Sequence, residues 1–366
     1  MQLADLATPC LVLDRNRLQR NLKTMAACVA RHSVALRPHM KTAKSIDVLR
    51  LAGCPSITVS TLAEAAYFAG HGVVDMLYAV GITPQKLAAV ARLNAAGADV
   101  MVITDDVAVA RAIAALPAPP RTLIEIDTGE HRGGLGPEDA ALLEIAAALR
   151  PCLRGVMTHA GHSYAGRSDA EMRRFAQAER DGAVRAAERL REAGHAVSIV
   201  SIGSSPTARA GVDLSGVTEL RAGVYMFGDL FQAEIGTHGR DDIAVSVLAS
   251  VIGRRPERHQ LVLDAGAMAL SKDRSTQATD DDLGFGLMVD RLGRPSFGRA
   301  VVVSAYQEHG VVALDPALPM PELAIGDVVR VLPNHTCLTA AAHDRYHVVD
   351  GDGEDVVAVW ARVNGW

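Results

Sequence analysis

Eight short apolar runs, Val34–Leu36, Ser56–Val59, Asp75–Val80, Asp99–Ile103, Thr122–Asp127, Leu153–Thr158, Ala196–Ile202 and Val217–Arg221, alternate with alanine-rich helical segments. Such alternation demands a parallel sheet covered by helices, and so many repeats in so short a stretch predict closure into a barrel. An open doubly wound sheet is the alternative, but the first strand-to-helix turn carries no GxGxxG. After Asp229 the texture changes to strand-like runs separated by Gly and Pro: Ala244–Ile252, Gln260–Asp264, Ala300–Ser304, Val328–Leu332, His347–Val349 and Val356–Val363. The pattern predicts an α/β (β/α)8 TIM-like barrel over residues 26–240. Residues 1–25 and 241–366 are expected to form a β-rich, antiparallel domain. The strand at Pro9–Leu13 is expected to join that second domain, and Asp14 to cap a helix over Arg15–Ala30.

The balance of 37 Lys and Arg against 42 Asp and Glu, without a basic block, argues against a nucleic-acid partner. No apolar run approaches the roughly 20 residues of a membrane helix, and the start at Met1–Leu6 lacks the features of a signal peptide. The five cysteines are scattered and contain no CxxC pair, which suits a reducing compartment. A cytoplasmic protein is expected.

In a barrel the working residues lie at the carboxyl ends of the strands. After the first strand stands Arg37-Pro38-His39-Met40-Lys41-Thr42. A lysine held there by packed neighbours can be partly desolvated and form a Schiff base with an aldehyde cofactor such as pyridoxal phosphate. The plainer reading makes Lys41 and Lys44 solvated charges at a helix start. Thr61 and Glu64, and Asp127 to Arg132, follow later strands. Thr158-His159-Ala160-Gly161-His162-Ser163-Tyr164 gathers two imidazoles and a phenol, able to relay a proton or stack on a flat ring. The turns at Gly203-Ser204-Ser205-Pro206-Thr207 and Arg221-Ala222-Gly223-Val224 together suit a phosphate.

In the second domain, Pro333-Asn334-His335-Thr336-Cys337 follows a strand. Residues two apart in extended chain share a side, so His335 and Cys337 can converge on one metal and leave positions open for water or substrate. His343 and His347 read as structural, because a strand-like run begins at His347.

Taken in order, these motifs, with Thr8-Pro9, Asp264-Ala265-Gly266 and Glu308-His309-Gly310, resemble the fold-type III pyridoxal-phosphate enzymes acting on D-amino acids. That group comprises D-serine dehydratases, D-threonine aldolases and 3-hydroxyaspartate enzymes, and its barrel is alanine racemase-like. The resemblance implies that Lys41 holds the cofactor and that Arg132 and Tyr164 approach its ring. It implies that Gly203, Ser204, Gly223 and Val224 bind the phosphate, and that Tyr225 lies near the pyridine. His335 and Cys337 would hold a divalent metal, and the chain would form a homodimer. In the aldolase branch the second metal ligand is an aspartate; Cys337 points to the dehydratase branch and to a softer, zinc-like ion. The expected activity is loss of water from a 3-hydroxy-D-amino acid, with Lys41, His335 and Cys337 catalytic. An aldolase, a racemase and a non-catalytic cofactor-binding barrel are the alternatives. The side-chain specificity stays open; Arg209 is one cation near the Gly203 turn.

Overall fold

The computed structural model describes residues 1–366, in two units: Met1–Lys23 with Val224–Arg362, and Thr24–Gly223 with Val363–Trp366. Strand β1 (Cys10–Asp14) hands over directly to helix α1 (Arg15–Ala30). Asp14 Oδ1 accepts the N–H groups of Asn16 at 2.9 Å and Arg17 at 3.0 Å, which makes it the expected cap.

In the second unit the eight apolar runs are strands β2 (Ala35–Pro38), β3 (Ser56–Val59), β4 (Asp75–Gly81), β5 (Asp99–Thr104), β6 (Thr122–Ile126), β7 (Leu153–Thr158), β8 (Ile199–Ile202) and β9 (Glu219–Ala222). All pairings are parallel, in the order β2-β9-β8-β7-β6-β5-β4-β3. A parallel bridge between His39 and Thr58, with the Met40 N–H on Thr58 O at 2.8 Å, joins β2 to β3 and closes the barrel. Closure excludes the open sheet. The helices between strands are α2 (Ile46–Ala52), α3 (Leu62–Gly70), α4 (Pro84–Ala95), α5 (Val107–Ala114), α6 (Ala141–Ala148), α7 (Asp169–Glu192) and α8 (Ser205–Ala208). Side-chain caps fix where several of them start: Thr61 accepts from Glu64, Asp106 from Val109, Ser168 from Glu171 and Ser204 from Thr207. Leu77, Met101, Ile103, Leu123 and Met157, all from barrel strands, form one buried apolar cluster.

A layer of charge lies at the amino ends of these strands. The buried Arg37 guanidinium meets Glu219 at 2.9 Å, both carboxylate oxygens of Asp75 at 3.1 Å and Ile57 O at 3.4 Å, so one side chain spans β9, β2, β3 and β4. Arg121 continues the layer to Asp75 at 2.8 Å and Asp99 at 2.7 Å.

The first unit continues after the barrel with α9 (Leu230–Glu234), β10 (Val245–Arg255), β11 (Gln260–Leu263), α10 (Ala267–Leu270), β12 (Gly286–Val289), β13 (Val301–Ala305), β14 (Gly310–Ala313), β15 (Val328–Pro333), α11 (Thr336–Ala341), β16 (Arg345–Val349) and β17 (Ala358–Ala361). Its nine-stranded sheet runs β11-β14-β13-β12-β15-β10-β1-β16-β17, and β11 also pairs with β10. As expected β1 joins this sheet, but the sheet is not wholly antiparallel, because β1 runs parallel to β16. Strands β12 and β14 escape the sequence reading; each has only four residues and opens on a glycine. One core is built by Leu230, Ile243, Leu283, Leu287, Val289, Val301 and Leu332, another by Leu3, Cys10, Val12, Leu248 and Val349. No helix is long and apolar enough to cross a membrane.

Replacing Arg37 by Leu strands Glu219, which is 5% exposed, without its cation. The expected loss is about 3–5 kcal/mol, read as a lowered denaturant midpoint. Arg50→Leu, which breaks the exposed pair with Asp47, is the control and should cost less than about 1 kcal/mol. Equal shifts in the two variants would contradict a clamping role for Arg37.

Candidate active site

Lys41 sits in the turn after β2, between buried Met40 and buried Thr42 and Ala43. Its own side chain is exposed, which corrects the expectation of a lysine desolvated by packed neighbours. The two lysines separate clearly. Lys44 Nζ is 3.3 Å from Glu64 Oε1, while Glu64 Oε2 accepts the Ser60 N–H at 3.0 Å. Lys44, Glu64 and Thr61 are thereby committed to the start of α3, and Lys41 is left as the available amine.

Two imidazoles face that amine. Burial, followed by the positive charges of Lys41 and Arg221, holds His39 well below the usual histidine range. Burial and then Lys41 push His159 down to about 3, with Arg221 and Arg132 acting in the same direction. These effects hold His159 in the neutral form. Its Nδ1 lies 2.9 Å from Gly203 O, so Nδ1 carries the proton and Nε2 presents a lone pair. His162 stands with its Nδ1 3.7 Å from Glu130 Oε2 and its ring nearly perpendicular to that of Phe175, centroids 5.1 Å apart. Tyr164 is half-buried in the short turn Gly161–Ala165.

Arg132 is exposed in the loop after β6, where it acts electrostatically on His159 and on Glu125. Burial, then Asp105, raises the Glu125 carboxyl. Asp127 shapes the loop: Oδ1 accepts the N–H groups of Gly129 at 2.9 Å and His131 at 3.1 Å.

The two glycine turns are tightly held. Gly203 has φ 140°, and a Cβ there would strike the Arg221 backbone; at Gly223 a Cβ would stand 2.9 Å from His39 O. The Gly203 N–H donates to Glu179 Oε1 at 2.9 Å and the Ser204 N–H to Thr207 Oγ1 at 3.1 Å. Ser204 Oγ is 2.9 Å from Ser163 Oγ and 3.0 Å from Thr207 Oγ1. Beneath them the buried Arg221 reaches Ser201 Oγ at 2.5 Å and the Thr158 carbonyl. Arg209 is exposed on this rim.

In the other unit, Val224 and Tyr225 lie buried in a single turn, Val224–Met226, and the Tyr225 carbonyl meets His238 Nε2 at 3.0 Å. His335 and Cys337 do come together, with their side chains in hydrogen-bonding contact. They do so by a different route from the extended chain expected. His335, at φ −137° and ψ 104°, is the N-cap of α11, and Cys337 is already in its first turn. His335 Nδ1 is 2.7 Å from Asp273 Oδ2. Burial opposes the charged imidazole, but Asp273, Cys337 and Asp229 outweigh it and raise His335 to about 11. Asp273 is fixed in turn by the Ser275 N–H at 2.7 Å.

Asp229 is wholly buried, accepting from Gln232 N–H at 2.8 Å and from Thr336 N–H at 3.0 Å, so that one carboxylate caps both α9 and α11. No group of three or more His, Cys, Asp or Glu is arranged for a metal; the donor set is the imidazole and thiol alone, backed by Asp273. His343 bonds Ala269 O at 3.0 Å and His347 lies in β16, both structural as expected. Asp273, Asp229 and Glu179 were not singled out from the sequence as site residues, and Arg221 was named only as the start of a glycine turn. For Asp273 the one available sign was its Asp-x-Ser turn pattern.

Residues 13–230 match the alanine racemase N-terminal domain family, and residues 244–349 match the serine dehydratase domain family. The D-threo-3-hydroxyaspartate dehydratase of Delftia sp. (strain HT23) is 42% identical, over 100% of this chain and 99% of that protein. The D-serine dehydratase of Dictyostelium discoideum is 29% identical, over 96% and 95%. A solved cysteine-to-alanine variant of a D-threo-3-hydroxyaspartate dehydratase, in the metal-free form, superimposes with a TM-score of 0.95 at 41% identity, over 100% of both chains. A closed barrel with an amine at its mouth, continued by a dehydratase-type β unit along the whole length of such relatives, places this chain among the fold-type III pyridoxal-phosphate enzymes, as a lyase of the D-amino-acid dehydratase group.

Proposed function

We propose that this chain removes water from 3-hydroxy-D-amino acids, D-threo-3-hydroxyaspartate foremost, and releases a 2-oxo acid and ammonia. The observation that carries the reading is the Asp273–His335–Cys337 chain. It joins an imidazole and a thiol at one helix start, and the imidazole's far nitrogen is already held by a carboxylate.

Lys41 fits the cofactor, being the exposed primary amine left once Lys44 is paired with Glu64. Pyridoxal phosphate supplies, when bound, an electron sink for the bonds at the substrate Cα. Lys41 Nζ binds the cofactor and afterwards takes the α proton. His159, neutral and fixed by Gly203 O, offers a flat face and an Nε2 lone pair without adding charge. We assign ring contacts to Arg132, Tyr164 and Tyr225, and the phosphate to Gly203, Ser204, Gly223 and Val224.

His335 and Cys337 fit a metal by their donor chemistry, and a thiolate–imidazole pair favours a soft, zinc-like ion over manganese or magnesium. Such an ion supplies Lewis acidity at the 3-hydroxyl, which is otherwise a poor leaving group. Asp273 holds the His335 ring in the tautomer that leaves Nε2 for a ligand. The five free cysteines fit a reducing, cytoplasmic setting.

Product analysis with D-threo-3-hydroxyaspartate tests the reaction. Oxaloacetate with ammonia is expected; glycine with glyoxylate would instead make the chain an aldolase and overturn the reading. A second measurement addresses the metal. Cys337→Ala should lower bound metal and elimination rate together, and Asp273→Asn should weaken metal binding roughly 10- to 100-fold. Unchanged metal content in both variants would refute the assignment of this site.

A further inference from the structure

The long helix α7 of the barrel unit buries a carboxylate. Glu179 projects from the middle of α7 with no solvent exposure. Its Oε1 accepts two backbone N–H groups, from Ala160 at 3.0 Å and from Gly203 at 2.9 Å. Ala160 follows His159 in the loop after β7, and Gly203 opens the loop after β8. A single oxygen therefore binds the loop that carries His159 to the loop that carries the Gly203 turn.

The Gly203 residue is gripped from both sides. Its N–H is held by Glu179, and its C=O receives the Nδ1 proton of His159 at 2.9 Å. Gly203 has little freedom to answer a loss of either contact, because its backbone lies against that of Arg221. A further lock, Ser163 Oγ to Ser204 Oγ at 2.9 Å, ties the same two loops. The tautomer of a histidine is set by the partner of its other nitrogen. The carbonyl that fixes His159 is itself placed by the residue whose N–H Glu179 holds.

We propose that Glu179 is a positioning residue: through Gly203 it fixes the Nδ1–H tautomer and the ring plane of His159 beside Lys41. The catalytic part of this inference rests on the reaction proposed above; the structural part does not. Burial raises the Glu179 carboxyl, while Thr207, the Gly203 amide and Arg221 oppose the rise. Either protonation state keeps an acceptor oxygen for the two amides.

The test uses the full chain and reads three quantities. In the wild-type protein without added cofactor, the Ala160 and Gly203 amides should exchange with deuterium at least a hundredfold more slowly than free amides, and nitrogen NMR should show His159 as the Nδ1–H tautomer. Rapid exchange at Gly203 would overturn the proposal without any variant. Glu179→Met removes the acceptor; both His159 tautomers should then appear, and kcat of the loaded enzyme should fall about tenfold with KM changed less than threefold. Glu179→Gln retains an acceptor oxygen and should restore the single tautomer and most of kcat.

A folded Glu179→Met protein with an unaltered His159 signal and kcat contradicts the proposal, as does failure of Glu179→Gln to restore either. If Glu179→Met does not fold, the wild-type exchange and the Gln variant decide. A wild type that shows the expected tautomer and exchange but forms no oxo acid would remove the dehydratase reading and leave Glu179 in its structural role.

Discussion

The Arg37 guanidinium lies where the barrel meets itself. Strand β2 must pair with the last strand, β9, on one side and reach the first of the others, β3, on the opposite side; the latter contact is only a bridge at His39 and Thr58. Arg37 spans this seam from Glu219 to Ile57 O and Asp75. A buried guanidinium with several donors in fixed directions can join strands at such a point, whereas an apolar side chain would fill it without fixing register. Four residues further along the same segment stands Lys41. The segment that closes the barrel therefore also carries Lys41, the amine proposed above to hold the cofactor.

The two units use one device for their polar clusters. In the barrel, Glu179 gathers the N–H groups of Ala160 and Gly203; in the β unit, Asp229 gathers those of Gln232 and Thr336. Each is a buried acceptor for loop or helix-start amides that would otherwise be costly to bury, at about 1–3 kcal/mol for each unsatisfied group. Each also stands behind a histidine: Glu179 behind His159 through Gly203, and Asp229 behind His335 through Thr336, its neighbour in the chain. The outcomes diverge with the surroundings. His159, among Lys41, Arg221 and Arg132, is driven to the neutral form, whereas His335, between Asp273 and Cys337, is driven to the charged form when no ion is bound.

The eight barrel strands were legible because parallel strands buried on both faces read as continuous apolar runs, and Asp14 declared its helix by residue type. Strands β12 and β14 were not, since four residues beginning at Gly286 or Gly310 give too short a pattern. His335 and Cys337 were found as a pair, although the backbone joining them is a helix start; adjacency in sequence allows either geometry. Asp273 and Glu179 were invisible for a different reason. They lie 62 residues from His335 and 24 from Gly203, and single acidic residues carry no sign of the distant partner that makes them informative. The exposure of Lys41 likewise depends on how turns pack, which a local run of apolar neighbours does not determine.

In the proposed reaction Lys41 moves the α proton, and the His335–Cys337 pair assists departure of the hydroxyl. The direct test is to strip metal from the cofactor-loaded protein and follow D-threo-3-hydroxyaspartate by proton NMR in deuterated water. Washout of the α proton should continue while oxaloacetate formation falls at least a hundredfold, and added zinc should restore it. Oxaloacetate formed at an undiminished rate by the stripped protein would contradict this division of roles.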